Sequence, residues 1–165
     1  MTPRSQRPAD RASDTNPELR VLFSELVRLE TELWDAVEGR LRAEHGITLP
    51  FFEFMQIISR RPNCRVQDIA TELSITVGGT SKIVDRLEAA GYCARHANPS
   101  DRRSSILALT LAGKRVLPKV TATVDDELGA RLGAELSGKS LAELIRTLTR
   151  LRAGFAAANA AEEPA

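Results

Sequence analysis

Apolar residues recur every three or four positions near both ends of the chain, which is the spacing of one face of a helix. The first stripe comprises Leu19, Leu22, Phe23, Leu26, Leu29, Leu33, Val37 and Leu41. The second comprises Leu117, Val120, Val124, Leu128 and Leu132, and the third comprises Leu141, Leu144, Ile145, Leu148, Leu151 and Phe155. The pattern predicts one long amphipathic helix at the start and two at the end. Pro118 is expected to bend the second helix or to mark its first turns.

Three shorter helices are predicted between these stripes. Pro50 opens the first of them, which is rich in phenylalanine and predicts the core of a small domain. Residues 66–73 form the second, with apolar side chains on one face, and Thr76 is the predicted N-cap of the third. Gly91 ends that third helix. Two short helices joined by a tight turn constitute a helix-turn-helix unit.

A charged hairpin is predicted directly after this unit. Residues 92–97 and 105–109 are short strand-like segments, and the link between them, Asn98-Pro99-Ser100-Asp101, is dense in turn-forming residues. Arg102 and Arg103 follow at once. The sequence therefore predicts a mainly α fold with a small β-hairpin wing, which is a winged helix-turn-helix. In that fold the second helix of the unit lies in the major groove of DNA.

Composition and charge narrow the classes of function. The formal net charge of the 165-residue chain is only +1, so binding of nucleic acid has to depend on local clusters of cations. No apolar run reaches the roughly 20 residues that span a bilayer, and the N-terminus lacks the apolar segment of a signal peptide. A cytoplasmic protein without membrane contact is expected. Cys64 and Cys93 show no metal-binding spacing and are expected to be small buried hydrophobes, and neither a metal nor a cofactor is expected.

The stripes divide the chain into five parts. Residues 1–17 and 157–165 are expected to be tails, the first of them mobile and polar. Residues 47–110 form the winged helix-turn-helix lobe. Residues 18–46 and 111–156 contain amphipathic helices. No sheet or helix bundle is predicted within one subunit against which their apolar faces could pack. We therefore expect these terminal helices to form the interface of a homodimer.

A short sequence block resembles the D-x-R…LT-x-x-G signature of the MarR family of bacterial transcription regulators. It consists of Asp101-Arg102-Arg103 followed by Leu109-Thr110-Leu111-Ala112-Gly113. The block extends back through Asn98-Pro99, Arg95, Gly91 and Arg86-Leu87-Glu88, and the order of helices fits the family over residues 19–155. The resemblance implies a winged helix-turn-helix dimer held by its terminal helices. It also implies a repressor that leaves DNA when a small, often anionic or phenolic, ligand binds between the dimer helices and the DNA-binding lobe.

The start of the recognition helix carries two glycines, Gly78 and Gly79, each of which costs about 1 kcal/mol in helix propensity. One explanation is that their backbone approaches a phosphate or a thymine methyl closely. The other is that both glycines are loop and the helix starts at Thr80. Hydroxyl and ammonium donors follow, suited to base edges and phosphates. Arg86 either reaches the DNA backbone or pairs with a neighbouring carboxylate.

The wing adds a second set of cations. A guanidinium at a hairpin tip can enter a narrow minor groove, and Arg103 is the predicted residue. Asp101 is expected to hold Arg103 in place, since a carboxylate facing phosphates would be repelled. The complete set of predicted DNA-binding residues is Thr76, Gly78, Gly79, Thr80, Ser81, Lys82, Arg86, Arg102 and Arg103.

An effector cavity is a further hypothesis. Trp34, His45 and Phe51 are candidates to line it, and Arg95 could balance an anion. The set of Trp34, Asp68 and Arg95 is loosely similar to the one used by urate-responsive members of the family. The alternative is that Trp34 packs in the dimer core and His45 caps a helix.

Three classes of function compete, namely a DNA-binding regulator, an enzyme and a protein-interaction module. An enzyme is not expected, because His45 and His96 lie in different segments and neither is near a nucleophile motif, a metal spacing or a phosphate loop. A winged protein-interaction module would not need cations at Lys82, Arg86 and Arg103. A redox-responsive regulator is also disfavoured, because the first helix has no cysteine. The sequence therefore predicts a ligand-responsive, homodimeric regulator that binds a pseudo-palindromic DNA operator.

Overall fold

A computed structural model describes residues 16–101 and 103–162. Within them it contains six helices and two strands, which are α1 (Pro17–His45), α2 (Leu49–Arg60), α3 (Val66–Leu73), α4 (Val77–Ala89), β1 (Cys93–Ala97), β2 (Ser105–Leu109), α5 (Leu111–Leu132) and α6 (Gly138–Glu162). The prediction of a mainly helical fold with a small hairpin is confirmed. Residues 1–15 of the tail predicted for residues 1–17, together with Arg102 and the last three residues, lie outside the described residues. Pro17, the last residue of that predicted tail, belongs to α1.

The chain divides within α1 into two compact units, which meet in the sequence at Asp35 and Ala36. The described part of the first unit, from Pro17 to Asp35, belongs almost entirely to α1. Its apolar side chains are exposed, and Phe23, for example, is 67% exposed. The second unit contains the end of α1 and all the other elements.

The core of the second unit is built around α2. Phe54, Met55 and Ile57 are almost completely buried there, as are Val84 and Leu87 on the inner face of α4. The predicted phenylalanine-rich core is thus present. Burial of these side chains fixes the outer face of α4 toward solvent, since the helix can turn only one face to the core.

The hairpin is antiparallel, with Cys93 opposite Leu109 and Ala97 opposite Ser105. A third chain segment pairs with it, because the Leu107 amide donates to the Cys64 carbonyl at 2.7 Å. The sequence pattern did not predict this pairing, which a single backbone hydrogen bond supports. It attaches the start of α3 to the outer edge of the wing.

The helices on either side of the hairpin begin with the same local arrangement. The Thr76 hydroxyl accepts a hydrogen bond from the Gly79 amide at 3.2 Å at the start of α4. The Thr110 hydroxyl accepts one from the Gly113 amide at 3.1 Å at the start of α5. The predicted cap at Thr76 is therefore formed, Thr110 forms an equivalent one, and each satisfies an amide that the first helical turn leaves without a partner.

The base of the wing is joined tightly to α5. The Thr110 amide donates to the Tyr92 carbonyl at 3.0 Å, and its hydroxyl donates to the Gly91 carbonyl at 2.6 Å. A Cβ atom on Gly113 would lie 2.1 Å from the Tyr92 carbonyl oxygen. Glycine is therefore required at this position by the close approach of two backbone segments.

Pro118 lies inside α5 beyond its first turn, and the expected bend there stays a prediction. One detail near the C-terminus differs from the expectation. Helix α6 continues to Glu162, past residue 157 where a tail was expected. Alanine has the highest helix propensity, so the alanine-rich sequence that reads as a tail from its lack of large apolar residues can extend the helix.

Candidate nucleic-acid interface

The N-terminus of α4 is an exposed surface of backbone and small side chains. The helix starts at Val77, so Gly78 and Gly79 form its first turn, and the alternative that it starts at Thr80 is wrong. Nothing lies within 4 Å of the position that a Cβ on Gly78 would take. Packing within the chain therefore does not require glycine there, and close approach of an external group to Gly78 and Gly79 stays a prediction.

Thr80 is not part of this exposed surface. Its side chain is completely buried, and its hydroxyl donates to the Thr76 carbonyl at 2.9 Å. The prediction that Thr80 contacts DNA is wrong, because α4 turns this residue toward the core together with Val84 and Leu87. Ser81 is half-buried and Lys82 is exposed.

The two cations of α4 point to solvent. Lys82 and Arg86 are exposed, and neither forms an ion pair with any residue that the structure describes. The alternative that Arg86 pairs with Asp85 or Glu88 is not realised. Both carboxylates are instead occupied by Arg95, so the positive charge of Arg86 is left available to an anion.

Arg95 connects the wing to α4. Its guanidinium pairs with Asp85 at 2.6 Å and also with Glu88, whose carboxylate accepts the Arg95 backbone amide at 2.9 Å. The amide and guanidinium of Arg95 hold the pKa of Glu88 below its ordinary value. Arg95 therefore fixes the orientation of β1 relative to α4. Sequence spacing could not have shown this pairing, since the partners lie on different elements.

The described part of the wing tip contains Asp101 and Arg103, both exposed. The Asp101 carboxylate accepts the Arg103 backbone amide at 3.0 Å. This hydrogen bond is the main reason why the pKa of Asp101 is lowered, and the Ser104 hydroxyl also contributes. Asp101 thus holds the backbone of the tip, while the Arg103 guanidinium has no ion pair among the described residues.

Two candidate effector residues of the second unit, His45 and Phe51, take part in other contacts. The His45 Nε2 atom is 2.7 Å from the Thr123 hydroxyl, which donates to Glu44 at 3.2 Å. Because that hydroxyl proton is used, His45 is the donor of its pair. His45 thus connects α1 to α5. Phe51 is half-buried and packs against the core. Trp34, in the first unit, is 38% exposed.

Asp68 and Arg95 already have hydrogen-bond and ion-pair partners within the fold. The Asp68 carboxylate accepts the Arg65 amide at 2.8 Å and pairs with Arg61 at 3.1 Å. Arg95 has the two carboxylates described above. The expectation that Asp68 and Arg95 serve a ligand is not supported by these contacts, because each already has partners of opposite charge.

Metal and thiol chemistry have little support. Among residues 16–101 and 103–162 there is no group of three His, Cys, Asp or Glu side chains arranged to hold a metal ion. Cys64 and Cys93 are free and buried, and burial raises the pKa of each thiol to about 11. Over the same part of the chain no helix has the length and hydropathy needed to cross a membrane.

Known proteins share this arrangement. A sequence profile of the MarR family matches residues 47–105. The HTH-type transcriptional repressor Rv2887 of Mycobacterium tuberculosis (strain ATCC 25618 / H37Rv) is 33% identical over 106 residues, which cover 64% of this chain and 76% of the relative. The relative is thus similar over most of its own length.

Solved structures agree in fold. Sco3205, a MarR family transcriptional regulator from Streptomyces coelicolor solved in complex with DNA, has a TM-score of 0.77 at 22% identity and covers 84% of this chain and 91% of its own. The transcriptional repressor CouR bound to a 23-mer DNA duplex has a TM-score of 0.70 at 26% identity, covering 86% and 98%. CouR from Rhodococcus jostii RHA1 has also been solved bound to p-coumaroyl-CoA, with a TM-score of 0.72 at 22% identity, covering 79% and 90%.

The winged helix-turn-helix, the exposed cations of α4 and the similarity to Rv2887 agree with one another. This chain therefore belongs to the MarR family of DNA-binding transcription regulators.

Proposed function

We propose that the chain is a homodimeric, sequence-specific repressor that a small aromatic or anionic ligand releases from DNA. The observation that carries the proposal is the division of charge on α4. Asp85 and Glu88 are occupied by Arg95, whereas Lys82 and Arg86 are exposed without a carboxylate partner among the described residues. The outer face of α4 therefore offers its cations to an anion outside the chain, as the phosphate backbone of DNA requires.

The proposed reading head consists of the N-terminus of α4 and the wing tip. Helix α4 lies in the major groove, with Thr76, Gly78, Gly79, Ser81 and Lys82 near base edges and phosphates. Further along, Arg86 reaches the backbone. In the wing, Arg103 enters the minor groove and Arg102 contacts a phosphate, while Asp101 keeps the turn rigid. Thr80 has no direct contact in this arrangement.

A DNA-binding titration at two salt concentrations tests the reading head, with the duplex upstream of the chain's own gene as the probe. Lys82→Ala and Arg103→Ala should each weaken binding and make the dependence of log Kobs on log salt shallower by about 0.9 per lost phosphate contact. Lys114→Ala, which removes an exposed charge from α5, is the matched control. Unchanged affinity and slope in both test variants would favour the protein-interaction module.

Dimerisation is supported by two exposed apolar faces. One lies on α1 and the other on α6, and exposure reaches 60% at Leu19 and 54% at Ile145. Residues 17–35 carry five acidic and two basic side chains, whereas residues 138–157 carry four basic and one acidic side chain. We propose that α6 of one copy packs against α1 of a second copy, since both apolar faces and opposite charges then meet.

Sedimentation of the full chain tests the dimer. Leu22→Asp or Ile145→Asp should shift the chain to a monomer, because a carboxylate would be buried in an apolar interface. Leu111→Asp places the same charge on α5, at a residue that is 64% exposed and outside the proposed interface. A dimer that survives both interface variants, or that Leu111→Asp dissolves equally, would contradict this interface.

Repression and ligand release rest on similarity and on three residues. Rv2887 and CouR are named repressors, and CouR is known both with DNA and with p-coumaroyl-CoA. In this chain Trp34, His45 and Phe51 remain candidates for contact with an aromatic ligand. A thermal-shift screen of small aromatic acids should find a compound that stabilises the protein and also weakens DNA binding. A compound that only stabilises would not qualify as an effector.

The redox-responsive alternative is weaker. Both thiols are buried and their pKa values are raised to about 11, so the reactive thiolate is scarce near neutral pH.

A further inference from the structure

We infer that Arg65, at the start of α3, is an additional phosphate-binding residue that contacts the DNA backbone beside the groove entered by the wing. The inference rests on the proposed mode of DNA binding and adds a contact outside α4 and the hairpin. It follows from the charge around Arg65 and from its position relative to the wing.

The charge around Arg65 is not balanced. Arg61 and Arg65 share one carboxylate, that of Asp68, at 3.1 Å and 3.5 Å. Asp68 is only 13% exposed, whereas the Arg65 side chain is 47% exposed. One carboxylate neutralises one of the two guanidinium groups, and the shorter pair is with Arg61. Arg61, Arg65 and Asp68 together therefore carry one positive charge, and Arg65, which has the longer ion pair, is the more available of the two cations to an external anion.

The segment that holds Arg65 runs beside the wing. The Leu107 amide donates to the Cys64 carbonyl, which aligns residue 64 with the middle of β2. A surface cleft beside the same strand is lined by Pro62, Asn63 and residues 106–109. Residues 62–64 therefore lie along β2, and Arg65 is the next residue in the chain.

A second observation relates Arg65 to the wing tip. The positive charge of Arg65 contributes, after the Arg103 amide and the Ser104 hydroxyl, to lowering the pKa of Asp101. Arg65 is thus close enough to the described part of the wing tip to affect a carboxylate there. With Arg103 in the minor groove as proposed, the Arg65 guanidinium can bind a phosphate that flanks the wing through two parallel hydrogen bonds.

The test is a salt titration of the full chain with a labelled mixed-sequence duplex, since phosphate contacts do not depend on base sequence. Arg65→Ala should reduce the slope of log Kobs against log salt by about 0.9 for each subunit in contact with DNA. Arg65→Lys should keep most of the slope, because it keeps the charge. Lys114→Ala removes an exposed cation from α5 and should leave the slope unchanged.

Two results would overturn the inference. One is an unchanged slope in Arg65→Ala, which would make Arg65 a structural partner of Asp68 only. The other is an equal change in Arg65→Ala and Lys114→Ala, which would indicate a general effect of net charge. Arg65→Gln provides a second neutral variant if the alanine variant has a lower thermal midpoint. Arg103→Ala separates the two proposals, since a normal slope there would reject the reading head itself.

Discussion

A single methyl group at position 113 should separate the wing from α5. The Cβ of Gly113→Ala would lie 2.1 Å from the Tyr92 carbonyl oxygen, a distance that real Cβ atoms essentially never show. The obstacle is backbone and not the end of a flexible side chain. Because the same carbonyl accepts the Thr110 amide at 3.0 Å, moving it also weakens the hydrogen bond that joins the wing to α5.

The magnitude follows from three terms. Forcing a methyl group into a filled space costs about 1–3 kcal/mol. Loss of the Thr110 hydrogen bond costs about 1 kcal/mol. The better helix propensity of alanine returns about 1 kcal/mol. We expect a net destabilisation of about 2 kcal/mol, which corresponds to a fall in Tm of about 4–8 °C for a chain of this size.

Thermal and urea unfolding, followed by circular dichroism at one fixed protomer concentration, measure the effect. Gly129→Ala is the matched control on the same helix, since nothing lies within 4 Å of its Cβ position. It should stabilise the protein by about 0.5–1 kcal/mol. If Gly113→Ala is as stable as the wild type, or if both variants shift in the same direction, the close approach does not explain the glycine.

Three further predictions concern the interface. Thr80→Val should lower the free energy of unfolding by about 1 kcal/mol and leave base preference unchanged in a selection from random duplexes, because the hydroxyl is buried; an altered preference would contradict its burial. The contact between Glu88 and Arg95 lowers the pKa of Glu88 in the folded state, so it should stabilise the fold above the ordinary glutamate pKa and be lost as pH falls below about 4. In Glu88→Gln the urea midpoint should therefore change less with pH over this range. A dependence identical to that of the wild type would show that the contact does not contribute. Cys64 and Cys93 should resist alkylation at neutral pH until urea unfolds the chain, and fast labelling of the native protein would reopen the redox alternative.

Local patterns predicted the elements well. The strand from Ser105 to Leu109 and the cap at Thr76 depend on residues that are neighbours in sequence, so they can be predicted from it. A turn-rich link and a helix-capping residue act through hydrogen bonds that span only a few positions. For this reason sequence patterns alone are enough to locate the reading head along the chain.

The errors concern contacts across the fold. In the sequence Thr80 stands in a polar stretch and was predicted to be a hydrogen-bond donor to DNA. Only the packing of α4 against α2 shows that its hydroxyl is buried. Arg95 was predicted to balance an anionic ligand, but its guanidinium binds two carboxylates of α4. The pairing of Cys64 with Leu107 was missed because two residues cannot form a recognisable strand pattern. Such features depend on which elements pack against each other, and the spacing of apolar residues along the sequence does not specify this packing.

The two Thr-x-x-Gly helix starts should differ in how well they tolerate substitution of their glycine. At the start of α4 a Cβ on Gly79 would meet the Thr76 hydroxyl at 3.1 Å, which a small adjustment of that side chain can relieve. At the start of α5 the Tyr92 backbone leaves no such freedom. In a saturation-mutagenesis library selected for stable protein, alanine and serine should persist at position 79 and vanish at position 113. Two identical motifs in one gene thus tolerate substitution differently, because the glycine faces a movable side chain in one and fixed backbone in the other.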